Sequence, residues 1–328
     1  MTHNFSTRQA KRSDWPHIQE AFARSFSTFR SKQTWDWRYH LRSRNDEQIS
    51  CAVCLNAVDD IVGFAGGTVH AGVLQGRPIQ VVIARDSFSV PNLVSSLGPR
   101  SSPFIWAEKC FHQHNAHQHA LALGFGTQRR TRLGIRLGLA QPFTNGQWLG
   151  VDLLGASTIS GVSCRVAPTD FSSALWNSFW VNRSPSIHLG IVRNQPFLHW
   201  RYHAAQGRTY WSFAISTFES EVPVGFVVLT TKSAVTAIVV DIACNSGFEM
   251  LRDALQQIQR WLFFRGFKRV EMFSSRGCPE FDLWPALGFQ SIRFDWPSVP
   301  VFNSYDFVVN QSEVNQHYAM NLGDSDLF

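Results

Sequence analysis

The sequence predicts an α+β protein of two similar domains, each a mixed, mostly antiparallel sheet flanked by helices. The prediction starts from a repeated tripeptide, Trp-Arg-Tyr, at 37–39 and 200–202, in 328 residues with only 12 Trp and five Tyr. Three features then follow each copy in the same order: Gly-Phe at 63 and 225, Asp at 86 and 241, and Leu-Gly at 137 and 287. The offset falls from 163 to 150 residues, as expected for a duplicated domain whose loops have changed length.

Each half is predicted to begin with a short segment and an amphipathic helix. The first helix runs from Asp14 to about Phe26 and the second from Asp170 to about Trp180. Aspartate is a favoured N-cap residue because its carboxylate accepts hydrogen bonds from the first free amides of a helix. We therefore expect Asp14 and Asp170 to cap these helices.

A three-stranded meander follows each Trp-Arg-Tyr copy. Runs of β-branched and aromatic residues between turn signals such as Asp59-Asp60 and Gln75-Gly76 define the strands. In the first half we place them near 49–55, 61–69 and 79–89, and in the second near 211–217, 224–230 and 237–243.

A helix then returns across each sheet, and its second copy is the clearest in the chain. Apolar residues recur at helical spacing there, with Ser246 before them and Gly266 after them: Phe248, Leu251, Leu255, Ile258 and Leu262. A strand follows (121–125 and 269–273), then a short helix ending at Leu-Gly, then a last strand. We assign domains to 1–148 and 149–328, related as a pseudo-two-fold tandem repeat, with a linker near 151–161.

Composition excludes several classes of protein. The chain is 44% hydrophobic and 16% charged, and no stretch approaches the ~20 apolar residues of a membrane span. The polar N-terminus lacks the apolar middle of a signal peptide, so we expect a cytoplasmic protein without a membrane partner. A net charge of +6 is too modest to indicate nucleic acid. Cys51 and Cys54 lack a second ligand pair, so we predict buried free thiols and no metal.

Several of these segments resemble one superfamily. Trp35-x-Trp-Arg-Tyr, the run from Phe197 to Tyr202, the stretch from Phe125 to Leu139 and the ending Gly323-Asp-Ser-Asp look like a branch of the GCN5-related N-acetyltransferases (GNAT). The duplication is similar to that of tandem members of the superfamily. The resemblance covers nearly the whole chain, and it lies in the repeated order of the motifs.

The resemblance implies an acyl-CoA, either acetyl-CoA or another, between the splayed fourth and fifth strands, and no metal. The first half is the better cofactor domain, because a loop of about sixteen residues follows Asp86 whereas about four residues follow Asp241. The implied cofactor residues are Phe88, Ser89, Val90, Gly98, Arg100, Ser101, Ser102 and Thr127. The alternative is an ordinary loop in which Ser102 caps a helix and Pro103 takes its first position.

Catalysis by direct transfer needs a base for the acceptor ammonium. The candidates are Asp86, at the end of the fourth strand, and Glu108, which lies one helical turn from His112. The alternative for Asp86 is a carboxylate at a strand end that bonds to a turn. The alternative for Glu108 and His112 is an ion pair on the helix surface. Between 126 and 138 no Tyr is present to serve as the acid usual in the family.

The triplet Trp37, Arg38 and Tyr39 is a candidate substrate site, or it pins its segment to the sheet. Its retention in the second half favours the structural role.

These features predict an acyl-CoA-dependent N-acyltransferase acting on a small amine, such as an amino sugar or amino acid, as a monomer or homodimer. Two alternatives stay open. One is a catalytically silent tandem-GNAT scaffold or binding protein, and the other is an aminoacyl-tRNA-dependent transferase.

Overall fold

The computed structural model describes residues 5–39, 49–91, 102–153, 163–205, 207–293, 298–305 and 309–325. The chain forms two compact units, and each contains segments from distant parts of the sequence. Unit 1 comprises Met1–Ala71, Ile79–Phe143 and Pro297–Gln311. Unit 2 comprises Gly72–Pro78, Thr144–Trp296 and Ser312–Phe328.

The helices and strands follow the predicted order. Up to residue 143 they are β1 Ser6–Gln9, α1 Trp15–Phe26, α2 Lys32–Arg38, β2 Ile49–Leu55, β3 Ile61–Leu74, β4 Arg77–Ser89, α3 Pro103–Asn115, β5 Leu121–Thr127, α4 Gln128–Arg136 and β6 Gln141–Pro142. From residue 144 they are β7 Gly146–Asp152, β8 Arg165–Pro168, α5 Leu175–Arg183, β9 Leu189–Ile191, α6 Gln195–Leu198, β10 Trp211–Ser216, β11 Pro223–Ser233, β12 Thr236–Cys244, α7 Gly247–Phe264, β13 Arg269–Ser275, β14 Gln290–Ser291, β15 Ser298–Ser304 and α8 Gln311–His317.

The strands of the two sheets follow the same order over seven positions, which confirms the α+β class and supports two similar domains. The short strand β9 also pairs with Gly72–Leu74 at the end of β3. The strand order in unit 1 is β1-β2-β3-β4-β5-β15-β6. In unit 2 the corresponding order is β8-β10-β11-β12-β13-β7-β14. In each sheet the fourth and fifth strands run parallel. The pairs β1–β2, β2–β3, β5–β15 and β15–β6 in unit 1 are antiparallel, as are β8–β10, β10–β11, β11–β12, β13–β7 and β7–β14 in unit 2.

The sixth strand of each sheet comes from the other half of the sequence. Ser298–Ser304 pairs with β5 in unit 1, and Gly146–Asp152 pairs with β13 in unit 2. One boundary after residue 148 therefore does not describe these units. The physical reason is that main-chain hydrogen bonds hold a strand at a sheet edge, so any strand of suitable length and direction satisfies that edge.

The sheet of unit 1 has a hydrophobic core on each face. Trp15, Phe22 and Trp35 of α1 and α2 pack with Phe64 and Phe88 of the sheet. A second cluster joins the opposite face to Ala107 and Phe111 of α3. The strand β3 is buried almost throughout, as expected for a strand covered on both sides.

The predicted helix α7 packs its apolar face on the sheet of unit 2. Leu251, Leu255, Ile258 and Leu262 are all buried in the core of that unit. Gly266 follows the helix with φ of 86°, a left-handed conformation that glycine adopts without a steric cost. The predicted end of the helix is therefore confirmed.

The predicted caps at Asp14 and Asp170 are wrong. Asp14 itself has helical backbone angles, and its carboxylate accepts from the Lys11 amide (2.7 Å) and pairs with Arg8. Asp170 accepts from the amide and hydroxyl of Ser172 (2.9 and 2.6 Å), and α5 begins later, at Leu175. Both carboxylates stabilise the turn before the helix instead.

The cysteine prediction is confirmed for Cys51 and Cys54, which are free and buried in the clusters on opposite faces of the unit 1 sheet. Burial raises the pKa of both thiols to about 12. Among the described helices, none has the length and apolar content to cross a membrane.

Candidate active site

A buried carboxylate near the end of β4 links the sheet of unit 1 to the segment before it. The side chain of Asp86 is 9% exposed. Its Oδ2 accepts from Arg30 Nη1 at 2.6 Å, Arg38 Nε at 2.9 Å and the Tyr39 hydroxyl at 3.0 Å. Burial alone would raise the pKa of Asp86, but the two guanidinium groups hold it well below its ordinary value. Asp86 is therefore an ionised group and a weak base.

Unit 2 contains the same arrangement around Asp241, which is fully buried. Its carboxylate accepts from Arg193 Nε at 3.0 Å and the Tyr202 hydroxyl at 2.6 Å. The amide of Asn321 donates to the other oxygen at 2.9 Å. Burial and the neighbouring carboxylate raise the pKa of Tyr202 well above its ordinary value, so its hydroxyl stays a donor.

The shared parts of the two networks are an Asp, an Arg and the Tyr of each triplet. Arg30 and Arg193 are 163 residues apart, the same offset as the triplet copies. This offset is a sequence signal that points to both arginines, although neither was among the predicted site residues. Because both units keep this Asp, Arg and Tyr, the geometry favours a structural role for Asp86, Arg30 and Tyr39. Arg38 also contacts Asp86, whereas its counterpart Arg201 donates to main-chain carbonyls. Trp37 is half-buried beside them.

A cleft opens between β4 and β5 of unit 1. These strands pair only from Val81–Leu121 to Ile83–Leu123 and then diverge. The cleft has a volume of about 640 Å³, open solvent included. Its walls come from both strands, α3, α4 and β15, and include Ala84, Phe104, Gly124, Gly126, Thr131 and Phe302.

A chain of polar side chains lies along the α3 wall of this cleft. Glu108 accepts from Arg130 Nη2 at 2.5 Å and lies 3.5 Å from His112 Nε2. The other ring nitrogen of His112 lies 3.2 Å from the Tyr305 hydroxyl. Burial would raise the pKa of Glu108, but Arg130, His112 and Ser87 lower it to about 2. Glu108 is therefore ionised, and as a base it is weaker than an imidazole.

The structure brings the predicted Glu108 and His112 together and adds Arg130 and Tyr305. Arg130 belongs to a run of arginines that could equally have been a solvated helix face. Tyr305 directly follows β15, the strand that unit 1 takes from the second half of the sequence. It lies nearly two hundred residues from His112 in the chain, so no local sequence pattern predicts their contact.

One hydroxyl in the cleft wall has no partner. Thr131 Oγ1 is buried and makes no hydrogen bond to any described residue. A Cβ atom on Gly126 would lie 2.9 Å from this oxygen, so glycine keeps the space beside it open. Buried hydroxyls are normally hydrogen-bonded, so Thr131 Oγ1 is an exception in the described part of the chain.

The start of α3 is held by protein groups. Pro103 has no amide hydrogen, the Phe104 amide donates to Ser89 Oγ at 2.7 Å, and the Ile105 amide donates to the Ser102 carbonyl at 2.9 Å. Pro103 is the first helical residue, as in the ordinary-loop alternative. Ser102 is at the N-cap position, but its side chain makes no capping hydrogen bond, and Ser89 accepts from the Phe104 amide instead. These amides do not form an open anion site.

The other predicted cofactor residues lie in varied settings. The Val90 amide donates to Val62 in the sheet (2.9 Å), and Phe88 is in the core. Thr127 caps α4 by accepting from the Arg130 amide at 3.4 Å. The candidates Gly98, Arg100 and Ser101 lie outside the described residues.

Comparison with known proteins defines the fold. No protein-family model and no curated protein matches the sequence. A structure from Enterococcus faecalis, described as a probable N-acyltransferase, superposes with a TM-score of 0.67 at 8% identity, over 93% of this chain and 73% of that one. A GCN5-related N-acetyltransferase from Anabaena variabilis gives 0.66 at 12% identity, over 93% and 74%. A third, from Kribbella flavida, gives 0.63 at 12% identity, over 92% and 71%. The chain therefore has the GNAT fold.

The Asp86 network predicts a specific loss of stability. Asp86→Asn leaves two guanidinium groups without their charged partner, so we expect the free energy of unfolding at pH 7 to fall by about 3–5 kcal/mol. Tyr39→Phe, which removes one hydrogen bond, is the matched control and should cost about 1 kcal/mol. Urea denaturation followed by tryptophan fluorescence measures both.

The pH dependence of the same variants tests the charge. The folded-state pKa of Asp86 lies below its ordinary value, so its contribution is complete above about pH 4 and is lost as the pH falls. The difference between wild type and Asp86→Asn should therefore shrink below about pH 4. A difference that stays constant from pH 7 to pH 3 would contradict this assignment.

Proposed function

We propose that this protein is an acyl-CoA-dependent N-acyltransferase whose donor site is the cleft between β4 and β5 of unit 1. The acceptor would be a small amine, such as an amino sugar or amino acid. The observation that supports this most is the divergence of β4 and β5 around a cleft of about 640 Å³. The GNAT fold supports an N-acyltransferase in general, and the cleft is where we place the thioester of the donor.

The cleft has room and polar groups for the pantetheine arm of an acyl-CoA. Leu123 and Phe125 of β5 line the cleft together with Gly124 and Gly126, which have no side chain. Beside Gly126, Thr131 Oγ1 is buried and has no partner among the described residues. Pantetheine contains two amides, whose donors and acceptors suit a hydroxyl that can do either. Arg130 is partly exposed beside the cleft and supplies positive charge toward a phosphate-bearing ligand.

The reaction needs few protein groups. The free amine attacks the thioester carbon, the new C–N bond forms, and the C–S bond breaks to release the thiol of coenzyme A. One proton leaves the acceptor nitrogen and one is taken up by the sulfur. The cleft would hold the donor in place and exclude water, which are the main contributions of such a site.

We place proton removal on His112. Asp86 and Glu108, the carboxylates predicted as bases, both have lowered pKa values and are committed to arginines. His112 lines the cleft, and Glu108 beside it would stabilise the imidazolium that forms. Tyr305 contacts the other ring nitrogen and fixes the ring orientation.

One observation favours the alternative of a silent binding protein. The first amides of α3, where the fold would place a diphosphate, donate to Ser89 and Ser102. Calorimetry with acetyl-CoA and longer acyl-CoAs, followed by an assay for free thiol with a panel of amines, separates the two. Binding without thiol release would support the alternative, and no binding at millimolar ligand would exclude the acyltransferase and leave the alternative standing.

Filling the cleft should block the donor. Ala84 lies opposite Gly124, where a Cβ would be 3.3 Å from its own, so Ala84→Leu adds volume between the strands. We expect acyl-CoA affinity to fall at least tenfold by calorimetry. Ala174→Leu, on the exposed surface of unit 2, adds the same volume and should leave affinity unchanged. Equal affinity for both variants would argue against this site.

Thr131→Val should have opposite effects on stability and binding. It removes an unpaired buried hydroxyl, so the free protein should become no less stable. It also removes one hydrogen bond to the ligand, worth about 1 kcal/mol, so acyl-CoA affinity should fall about fivefold. Thermal unfolding with and without acyl-CoA measures both. A loss of stability without ligand would show that the hydroxyl serves the fold instead.

His112→Gln should affect turnover alone. Glutamine can keep a hydrogen bond at this position but cannot act as a base, so we expect kcat to fall about 100-fold or more with an unchanged Kd for acyl-CoA. In the wild type the rate at saturating donor should rise with pH as the catalytic base loses its proton, and this rise, measured across pH 6–9, should be absent in the variant. An unchanged pH profile with normal kcat would remove His112 from the mechanism.

A further inference from the structure

The chain's C-terminal segment, Tyr318–Ser325, lies in the unit 2 counterpart of the cleft. There β12 and β13 pair only from Thr236–Arg269 to Val239–Met272. Beyond this point β12 continues to Cys244 and β13 to Ser275, as β4 and β5 do in unit 1. All eight residues of the segment are buried.

The segment makes hydrogen bonds to both diverging strands. On the β13 side, the Met320 amide donates to Ser275 Oγ at 2.7 Å, and the Ser275 amide donates to the Met320 carbonyl at 3.1 Å. On the β12 side, Asn321 Nδ2 donates to Asp241 at 2.9 Å. The segment therefore takes the place of the missing strand pairing.

The Gly-Asp-Ser ending is fixed by two buried arginines. Arg201, the arginine of the second triplet, donates to the carbonyls of Gly323 (3.2 Å) and Ser325 (2.8 Å). Arg193 Nη2 contacts Asp324 at 2.7 Å. A Cβ atom on Gly323 would collide with the Tyr202 hydroxyl and the Asp241 carboxylate, so only glycine fits there.

The side chain of Glu280 binds the last main-chain amide of β12. Glu280 accepts from the Cys244 amide at 2.9 Å and from Arg183 Nη2 at 2.5 and 2.7 Å. It thus places a carboxylate on a main-chain amide at the end of the fourth strand. A cavity of about 370 Å³, open solvent included, lies beside the segment, and Ala319 and Asn321 form part of its wall. Another cavity, of about 540 Å³ with open solvent included, lies at Cys244 and Glu280.

We propose that unit 2 is a peptide-binding domain whose ligand is the chain's own C-terminal segment. The groove holds this peptide as it would any extended ligand, through main-chain carbonyls and amides, and it recognises the sequence at Asn321, Gly323 and Asp324. The same occupancy leaves unit 1 as the one acyl-CoA site of the chain, a consequence that rests on the proposed function.

The proposal is tested by removing the segment from the chain and adding it back as a separate peptide. A chain ending at His317 should bind a synthetic peptide of residues 318–328 at one per chain, measured by fluorescence anisotropy of the labelled peptide. The full-length chain, whose groove is filled, should bind it at least tenfold more weakly. Peptides with Gly323→Val or Asp324→Asn should also lose at least tenfold. A folded truncated chain that ignores the peptide, or equal binding by the full-length chain, would overturn the proposal.

Full-length Gly323→Val covers the case in which the truncated chain does not fold. Hydrogen exchange followed by mass spectrometry should show loss of protection at 240–244 and 273–275, while the amides of β4 and β5 keep theirs. Unchanged protection in unit 2 would overturn the proposal. So would failure of both variants to fold, because the segment would then be a permanent part of the core.

The stoichiometry of acyl-CoA binding distinguishes this inference from the proposed function. One acyl-CoA per full-length chain, lost in Ala84→Leu, agrees with both. Two per chain would refute the filled groove and leave the proposed function standing. No acyl-CoA binding would refute the proposed function, while the peptide titration would still decide the groove.

Discussion

A buried carboxylate near the end of the fourth strand is the constraint on which both units depend. Asp86 and Asp241 lose most of their contact with water, and that loss is offset because each receives a guanidinium and a tyrosine hydroxyl. These partners come from the segment before the sheet, so the ion pair fixes that segment against the strand. The strand then diverges from its parallel neighbour beyond a short stretch of pairing.

Divergence creates a gap that the two units use in different ways. In unit 1 the gap is a cleft with an unpaired hydroxyl and glycines in its wall, which suits a ligand from solution. In unit 2 the chain's own end fills the gap and hydrogen-bonds to both strands. The arginines of the two Trp-Arg-Tyr triplets, Arg38 and Arg201, differ in the same way. Arg38 binds the strand carboxylate, whereas Arg201 binds the carbonyls of the inserted segment.

The electrostatics also separate structural from chemical groups. A carboxylate held by arginines has a lowered pKa and takes up a proton poorly, which applies to Asp86 and Glu108 alike. Glu108 also lies beside His112, and in the proposed reaction its fixed negative charge would stabilise the imidazolium that forms there. Two carboxylates that look alike in sequence thus have different roles because of their neighbours.

The sequence by itself determined the local structure and the repeat. The spacing of apolar residues predicted α7, and turn residues predicted the three-stranded meander. The fixed order of motifs predicted two copies of one α+β fold. These signals act over a few residues or recur along the chain, so they can be detected in the sequence. Glu108 and His112 were found because helical spacing places them on one face. Only the tertiary structure decided which strand fills the sixth sheet position, that Tyr305 contacts His112, and that residues 318–325 fill one gap and leave the other open. Main-chain hydrogen bonds at a sheet edge accept many sequences, and contacts between residues far apart in the chain leave no local pattern.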